Sequence, residues 1–592
     1  MWSNQKEIAP EQEQTLISGR YLAVSDRIFL DTQPNQPPAT SEEVPPQIVV
    51  YLQLFACYPH IPQAYGLLDS TNTWLFDYGT VPIDDHTGKL VFPQLIPQLQ
   101  HLWIDATPLQ QLNWLWQIAK LWNPLLSKNV ASSLLNPELI RINGQLVQLL
   151  QLQPDEEHQP SLRDLGDLWS QWAENAHSSI QDVIDNLAAR LETGIIDQAS
   201  QVIAILDRAI NLCRKAKQYS YHIYALSDSG PSRTNNEDAA YPVHPHESHE
   251  ISGSENALAI VCDGVGGHDG GEIASGETIK YLRSKIAKLA PEEQYTSSQM
   301  LGKLGKYING ANDIISQRND SEQRQEKQRM GTTLVMALSY GQEMFLAHVG
   351  DSRIYWITPN SCHQMTVDDD LASREVRLGY ALYRDSLQYP SAGALIQALG
   401  MRDSAVLHPN LQRYIIDDDC IFLLCTDGLS DFDRVEQQWR HNVLPVLSGK
   451  QDLATAVQDL IALANEKNGH DNVTIALVHC MVKPSTNVSE VSVSWSDVEF
   501  VLDESRLWSD ANIANLVLPD TPAVESSPTE TEIPEQKIGE PLPAKKQPKW
   551  LKPLILLLLI STIIGLFAYY LLPNRIKDQD NNQLEGQDTE IN

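Results

Sequence analysis

Four aspartates between residues 263 and 471 share one local setting. Asp263 follows the apolar run ALAIVC and opens GVGGHDGGE; Asp351 follows MFLAHV in GDSR; Asp427 follows IFLLCT in DGLSD; Asp471 precedes VTIALV in GHDN. A carboxylate at the buried edge of a strand is costly unless something compensates its charge. One such aspartate is ordinarily a turn former; four, two of them followed by glycine, point to a shared ligand. Oxygen-rich clusters suit hard divalent cations such as Mg²⁺ or Mn²⁺, which retain several waters. Two adjacent ions would lower the pKa of a bridging water, orient a phosphoryl group and neutralise charge in an in-line displacement. They would also let a phosphate enter an acidic pocket. A glycine after the aspartate lets a backbone carbonyl approach the metal. Arg233, in PSRTNNEDAA, offers a planar fork that can hold two phosphate oxygens at once, and Glu237 and Asp238 follow within the same segment.

The elements that must position these residues are short β-rich runs separated by Gly- and Asp-rich turns. Strands are expected at 222–227, 257–262, 332–340, 343–349, 353–358, 421–425 and 473–479, and helices at 271–289, 297–318 and 452–467 from apolar residues three or four apart. Pairs such as 332–340 with 343–349, joined by a Tyr-Gly-Gln turn, predict stacked antiparallel sheets flanked by helices.

The succession SDSGPSRTNNEDA, VCDGVGGHDGGEIAS, MGTTLVMAL, HVGDSRIY, LLCTDGLSD and GHDNVTIALV resembles the bacterial branch of the type-2C metal-dependent protein serine/threonine phosphatases. The resemblance implies an α+β fold, an α-β-β-α sandwich with a dinuclear Mn²⁺ or Mg²⁺ centre between its sheets. It implies hydrolysis of phosphoserine and phosphothreonine in phosphorylated proteins by in-line attack of a metal-bridging water or hydroxide. Carried over by motif, Asp263, the Gly264 carbonyl, Asp427 and Asp471 ligate the two core ions. Asp238 joins through metal-bound water, and Arg233 holds the substrate phosphate; Arg233 and Asp263 are thus the catalytic pair. Asp351 and Asp431 match positions that bind a third, weaker ion in relatives. Val265 stands where some members carry a histidine proposed as general acid, with His268 nearby, and Asp369 stands in the flap 366–395 where relatives usually carry histidine. The competing reading is a catalytically weak phosphoprotein-binding or scaffold protein, against which the complete ligand set weighs.

At 592 residues the chain is long enough for two or three domains. Its net charge of −33 argues against nucleic acid as partner. Seven scattered cysteines without a CxxC pair suit a reducing compartment, and the N-terminus lacks a secretory pattern. The expected organisation is an N-terminal regulatory domain at 1–157, a helical connector at 158–217 (helices at 162–175 and 196–216), the phosphatase domain at 218–482, an acidic Pro/Ser/Thr-rich linker at 483–550, a transmembrane helix at 551–573 and a polar tail at 574–592. The N-terminal region is similar, at 58–79 and 130–152, to a degenerate protein kinase domain. Leu134 and Leu139 stand where the catalytic Asp and the metal-binding Asn would be; the alternative is an unrelated mixed α/β sensor or docking domain. The run from Pro553 to Leu572 carries no charge and is long enough to span a bilayer. Lys545, Lys546, Lys549 and Lys552 precede it and only Arg575 and Lys577 follow, which predicts a single-pass protein with its catalytic domain in the cytoplasm. That location would place membrane-associated kinases or their targets within reach.

Overall fold

The β-runs between 218 and 480 are apolar at consecutive rather than alternate positions, and the computed structural model accounts for it. Strands buried on both faces read as continuous hydrophobic runs. One sheet has six strands, in the order His249–Ser252, Lys217–Asp228, Val473–Pro484, Cys420–Cys425, Arg353–Ile357 and Cys362–Gln364; the other has five, Asn410–Ile415, Glu343–Val349, Leu334–Tyr340, Leu258–Cys262 and Ala239–Tyr241. All pairings within these two sheets are antiparallel. Side chains alternate between two cores, as a period of two requires. Ala259, Val261, Val335, Ala337, Phe422, Leu424, Ala476 and Val478 point between the sheets. Ile260, Met336 and Leu338 pack on the helices Gly271–Ile286 and Ser297–Ser321, and Leu423, Ile475 and Leu477 on Arg434–Asn442 and Leu453–Lys467. Four layers result. All seven expected strands and all three expected helices of this region are present; Ala239–Tyr241, His249–Ser252, Cys362–Gln364 and Asn410–Ile415 are strands that the pattern alone did not single out.

The structure describes Met1 and residues 15–501, apart from 26, 42, 69–72, 78–94, 157–158, 244–248, 253–255, 266–269, 290–294, 326–327, 342 and 487–490. Met1–Thr521 is one compact body and Pro522–Asn592 a second. The expected transmembrane helix at 551–573, the tail, most of the 483–550 linker, His268 and the Gln342 corner of the Tyr-Gly-Gln turn lie outside the described residues. Among the described residues no helix is long and apolar enough to cross a membrane.

The first 217 residues are built round the helix Pro108–Leu126, which is buried on nearly every side. Thr107 caps it, accepting from the Gln110 N–H at 3.3 Å. It lies against Ala199–Cys213, beside the helices Leu162–Ala173 and Gln181–Glu192. Leu134 and Leu139, at the kinase-like positions, are buried in the apolar core. Residues 491–501, near the start of the expected 483–550 linker, pack on the N-terminal region. Val493, Trp495 and Val498 are buried with the N-terminal core, the Trp495 N–H donates to Asp182 Oδ2 at 2.7 Å, and the Arg190 guanidinium lies 4.0 Å above the Trp495 ring. An indole flanked by valines finds more apolar cover there than a solvated linker provides.

Polar contacts join this region to the sandwich. Arg413, on the edge strand Asn410–Ile415, pairs with Glu343 at 2.5 Å and with Asp207 of Ala199–Cys213. Its guanidinium lies 4.5 Å from the centre of the Trp116 ring, and the Lys120 ammonium lies 4.6 Å from the same ring. Nearby, Asn113 donates to Asp417 at 2.9 Å and Gln145 donates to the Asp418 carbonyl at 3.0 Å. Replacing Arg413 with alanine strands buried carboxylates. The expected cost is about 3–5 kcal/mol of stability, read by urea denaturation of the chain ending at Thr521. Burial pushes the Asp417 carboxyl up to about 7, so the folded protein keeps a proton that the unfolded chain releases near pH 4. Stability from this group therefore falls as pH rises from about 4 to about 7. Asp417→Asn should flatten that slope and raise the melting temperature at pH 8; a variant with the parental pH profile would exclude Asp417 as its source.

Candidate functional site

The two sheets end together, and the acidic residues gather at that end. Asp263 leaves the strand Leu258–Cys262 of the five-stranded sheet. Its N–H donates to Thr333 Oγ1 at 2.9 Å, and its carbonyl accepts from the Thr333 N–H at 2.8 Å and from Thr332 Oγ1 at 2.9 Å. Asp427 leaves the strand Cys420–Cys425 and Asp471 enters Val473–Pro484, neighbouring strands of the six-stranded sheet. Backbones crowd here as only glycine permits. A Cβ on Gly264 would lie 2.6 Å from the Glu237 carbonyl oxygen, and one on Gly428 would lie 2.0 Å from the Asn472 carbonyl oxygen.

Arg233, Glu237, Asp263, Gly264, Asp351, Asp427 and Asp471 line one cavity of about 480 Å³, with Val265, Gly393, Leu395 and Met401 on its apolar side. Asp238 stands close behind, its Oδ2 accepting from Thr426 Oγ1 at 2.9 Å. Burial raises Asp238, Asp263, Asp351 and Asp427, and neighbouring carboxylates raise them further. The Asp238 carboxyl is pushed up to about 7 and Asp427 to about 6, while Asp263 and Asp351 lie well above the ordinary carboxylate range. Arg233, the cation in the lining, pairs with Asp471 at 2.7 Å and donates through Nε to the His470 carbonyl at 3.2 Å. Asp431 is not brought to the cavity wall; it pairs with His470 Nε2 at 3.2 Å.

The donor set is oxygen only, which fits Mn²⁺ or Mg²⁺ and not a thiolate or imidazole metal. Among the described residues no group of three or more His, Cys, Asp or Glu side chains stands ready-formed round a single ion. A Mg²⁺-like ion commonly takes one or two protein carboxylates and fills its shell with water, so carboxylates divided between two ions need no such cage.

Three supporting residues escaped the sequence reading. Asn472 accepts from the Glu237 N–H at 2.9 Å and donates to the carbonyls of Ser229 and Asn235, each at 2.9 Å; it ties the Arg233 loop to the Asp471 turn. Thr426 and Thr333 brace Asp238 and Asp263. An Asn directly after Asp471 at a strand entrance was the available signal, since a buried amide needs partners.

A family model for Protein phosphatase 2C matches residues 234–468. Serine/threonine phosphatase stp of Listeria welshimeri is 30% identical over 262 residues, 43% of this chain and 95% of that protein. Protein phosphatase PhpP of Streptococcus pneumoniae is 27% identical over 256 residues, 43% of this chain and 96% of that protein. The solved catalytic domain of serine threonine protein phosphatase PstP in complex with 2 manganese ions is 28% identical, covers 44% of this chain and 99% of its own, and superposes with a TM-score of 0.35. With the identity to the Listeria protein running almost its whole length, this chain belongs to the protein phosphatase 2C family.

Proposed function

We propose that the chain is a membrane-tethered phosphatase that hydrolyses phosphoserine and phosphothreonine in proteins, with two divalent ions, Mn²⁺ or Mg²⁺, as cofactors. The observation that carries this reading is a charge imbalance. Five carboxylates and a single guanidinium face one cavity, so a phosphate dianion enters only after cations have neutralised the wall. Asp263, the Gly264 carbonyl, Asp427 and Asp471 would hold the ions, with Asp238 behind them and Asp351 available to a further ion. Ions bound there supply an activated water and stabilise the charge of the displaced phosphoryl group. The protein's own part is positional. Thr333 and Thr332 fix the backbone of Asp263, Thr426 holds Asp238, and Asp471 holds one edge of the Arg233 guanidinium toward the cavity, where its fork can receive phosphate oxygens.

The uncharged run from Pro553 to Leu572 and its lysine-rich N-terminal flank support a single-pass anchor with residues 1–521 in the cytoplasm. Residues 1–157 are read as a regulatory domain whose catalytic kinase positions have been lost. Phosphorylated proteins at the membrane, including kinases and their targets, are the substrates that this location favours.

Hydrolysis of a phosphothreonine peptide by the purified protein should require added Mn²⁺ or Mg²⁺ and stop with chelator. Asp263→Asn or Asp427→Asn should lower kcat by about 10³-fold, the scale of a lost transition-state electrostatic contact; near-normal turnover by either variant would sink the two-ion assignment. Arg233→Ala should raise KM by about ten- to a hundredfold, the range for a charge-assisted phosphate contact, with a smaller change in kcat. For the anchor, the full chain should stay with membranes through alkaline carbonate washing, and a chain ending at Thr521 should be released; retention of the shortened chain would place the anchor elsewhere.

A further inference from the structure

The segment 366–398 forms a flap beside the cavity, and its apolar contacts lie with the N-terminal region. It runs through two short helices, Leu371–Arg377 and Tyr383–Ser386, and returns so that Gly393 and Leu395 line the cavity. Helices of seven and four residues have little stability of their own. Val376 and Leu382 are buried in the same core as Ile48, Leu52 and Phe55. The Phe55 and Tyr383 rings lie 5.6 Å apart. Arg384 donates to the Pro34 carbonyl at 3.3 Å, and its guanidinium lies 4.8 Å above the Tyr65 ring.

The inner edge of the flap is fastened to the turn that carries Asp351. The Asp369 N–H donates to the Gly350 carbonyl at 2.7 Å, and its Oδ2 accepts from the Gly350 N–H at 3.1 Å and from Gln397 Nε2 at 2.7 Å. Asp368 pairs with Arg353 at 2.7 Å. The flap thus grips residues 350 and 353, on either side of Asp351, while its outer face is held by residues 34–65.

We propose that the N-terminal region sets the affinity for protein substrates by holding this flap as the apolar wall of the cavity, with Phe55 and Arg384 as positioning residues. The proposal rests on the phosphatase reading above. A phosphoryl group meets the carboxylate and Arg233 side of the cavity. The peptide that bears it extends past Gly393 and Leu395, so only substrates with a main chain sense the flap.

The test uses the full chain with Mn²⁺ and two substrates, a phosphothreonine peptide and para-nitrophenyl phosphate. Phe55→Ala and Arg384→Ala should raise KM for the peptide about three- to tenfold, the scale of a lost ring or cation–ring contact. Turnover of the aryl phosphate should stay within about twofold. Phe55→Leu should restore the peptide KM, and amide hydrogen exchange over 371–386 should quicken in the two alanine variants and not in Phe55→Leu. Arg384→Ala keeps the test open if the buried Phe55→Ala fails to fold. An unchanged peptide KM in Arg384→Ala despite faster exchange, or an equal loss on both substrates, would overturn the proposal while leaving the phosphatase reading intact. A parental chain inert toward both substrates with Mn²⁺ would overturn that reading first.

Discussion

Like charge brought together in a buried place is the constraint from which the rest of the molecule follows. On top of burial, Asp238, Asp427 and Asp351 raise the proton affinity of Asp263, Asp427 raises that of Asp238 and Asp351, and Asp431 and Asp471 raise that of Asp427. The protein offsets only part of that cost. The Thr426 hydroxyl donates to Asp238 and the Arg233 guanidinium to Asp471, and the remaining negative charge is left facing the cavity. A wall that stays acidic after its internal hydrogen bonds are made has affinity to spare for cations.

Such a wall works only if its spacing is fixed, and the acids come from opposite sheets. Asp263 belongs to the five-stranded sheet, Asp427 and Asp471 to the six-stranded one. The distance between them is set by the packing of Val261, Val335, Phe422, Leu424 and Ala476 between the sheets. Close-packed cores transmit a change of one methylene, so a truncation between the sheets acts on the site without touching it. Asn472 fixes the third approach, that of the Arg233 loop, through three backbone contacts.

The sandwich was legible because burial on both strand faces turns strands into unbroken apolar runs, and the acids were legible because each breaks such a run at its end. What escaped lacked those signals. Asn410–Ile415 carries the polar Gln412 and Arg413, and the partners of Arg413, Asp207 and Glu343, lie in distant elements, so no local pattern marks it as a strand. Asp431, in the same DGLSD run as Asp427, pairs with His470 and is the neighbour that raises Asp427 most after burial, relations that the motif alone does not give. The docking of Trp495 depends on Asp182 and Arg190, more than three hundred residues away in sequence. Spacing along a chain cannot carry information about a partner so remote.

Two buried ionic clusters differ in a way that separates structure from chemistry. Where the N-terminal region meets the sandwich, Lys120 and Arg413 balance Asp207 and Glu343, and the cluster closes on itself with Trp116 beneath both cations. At the cavity five carboxyl groups face one guanidinium. A neutral cluster is satisfied internally and serves to fix two bodies in one register; an unbalanced one is completed only by something from outside. The flap is a separate link, with Asp368 and Asp369 fastened to the turn of Asp351 and Tyr383 against Phe55. Loosening of the contact at Phe55 therefore reaches the unbalanced site through the flap.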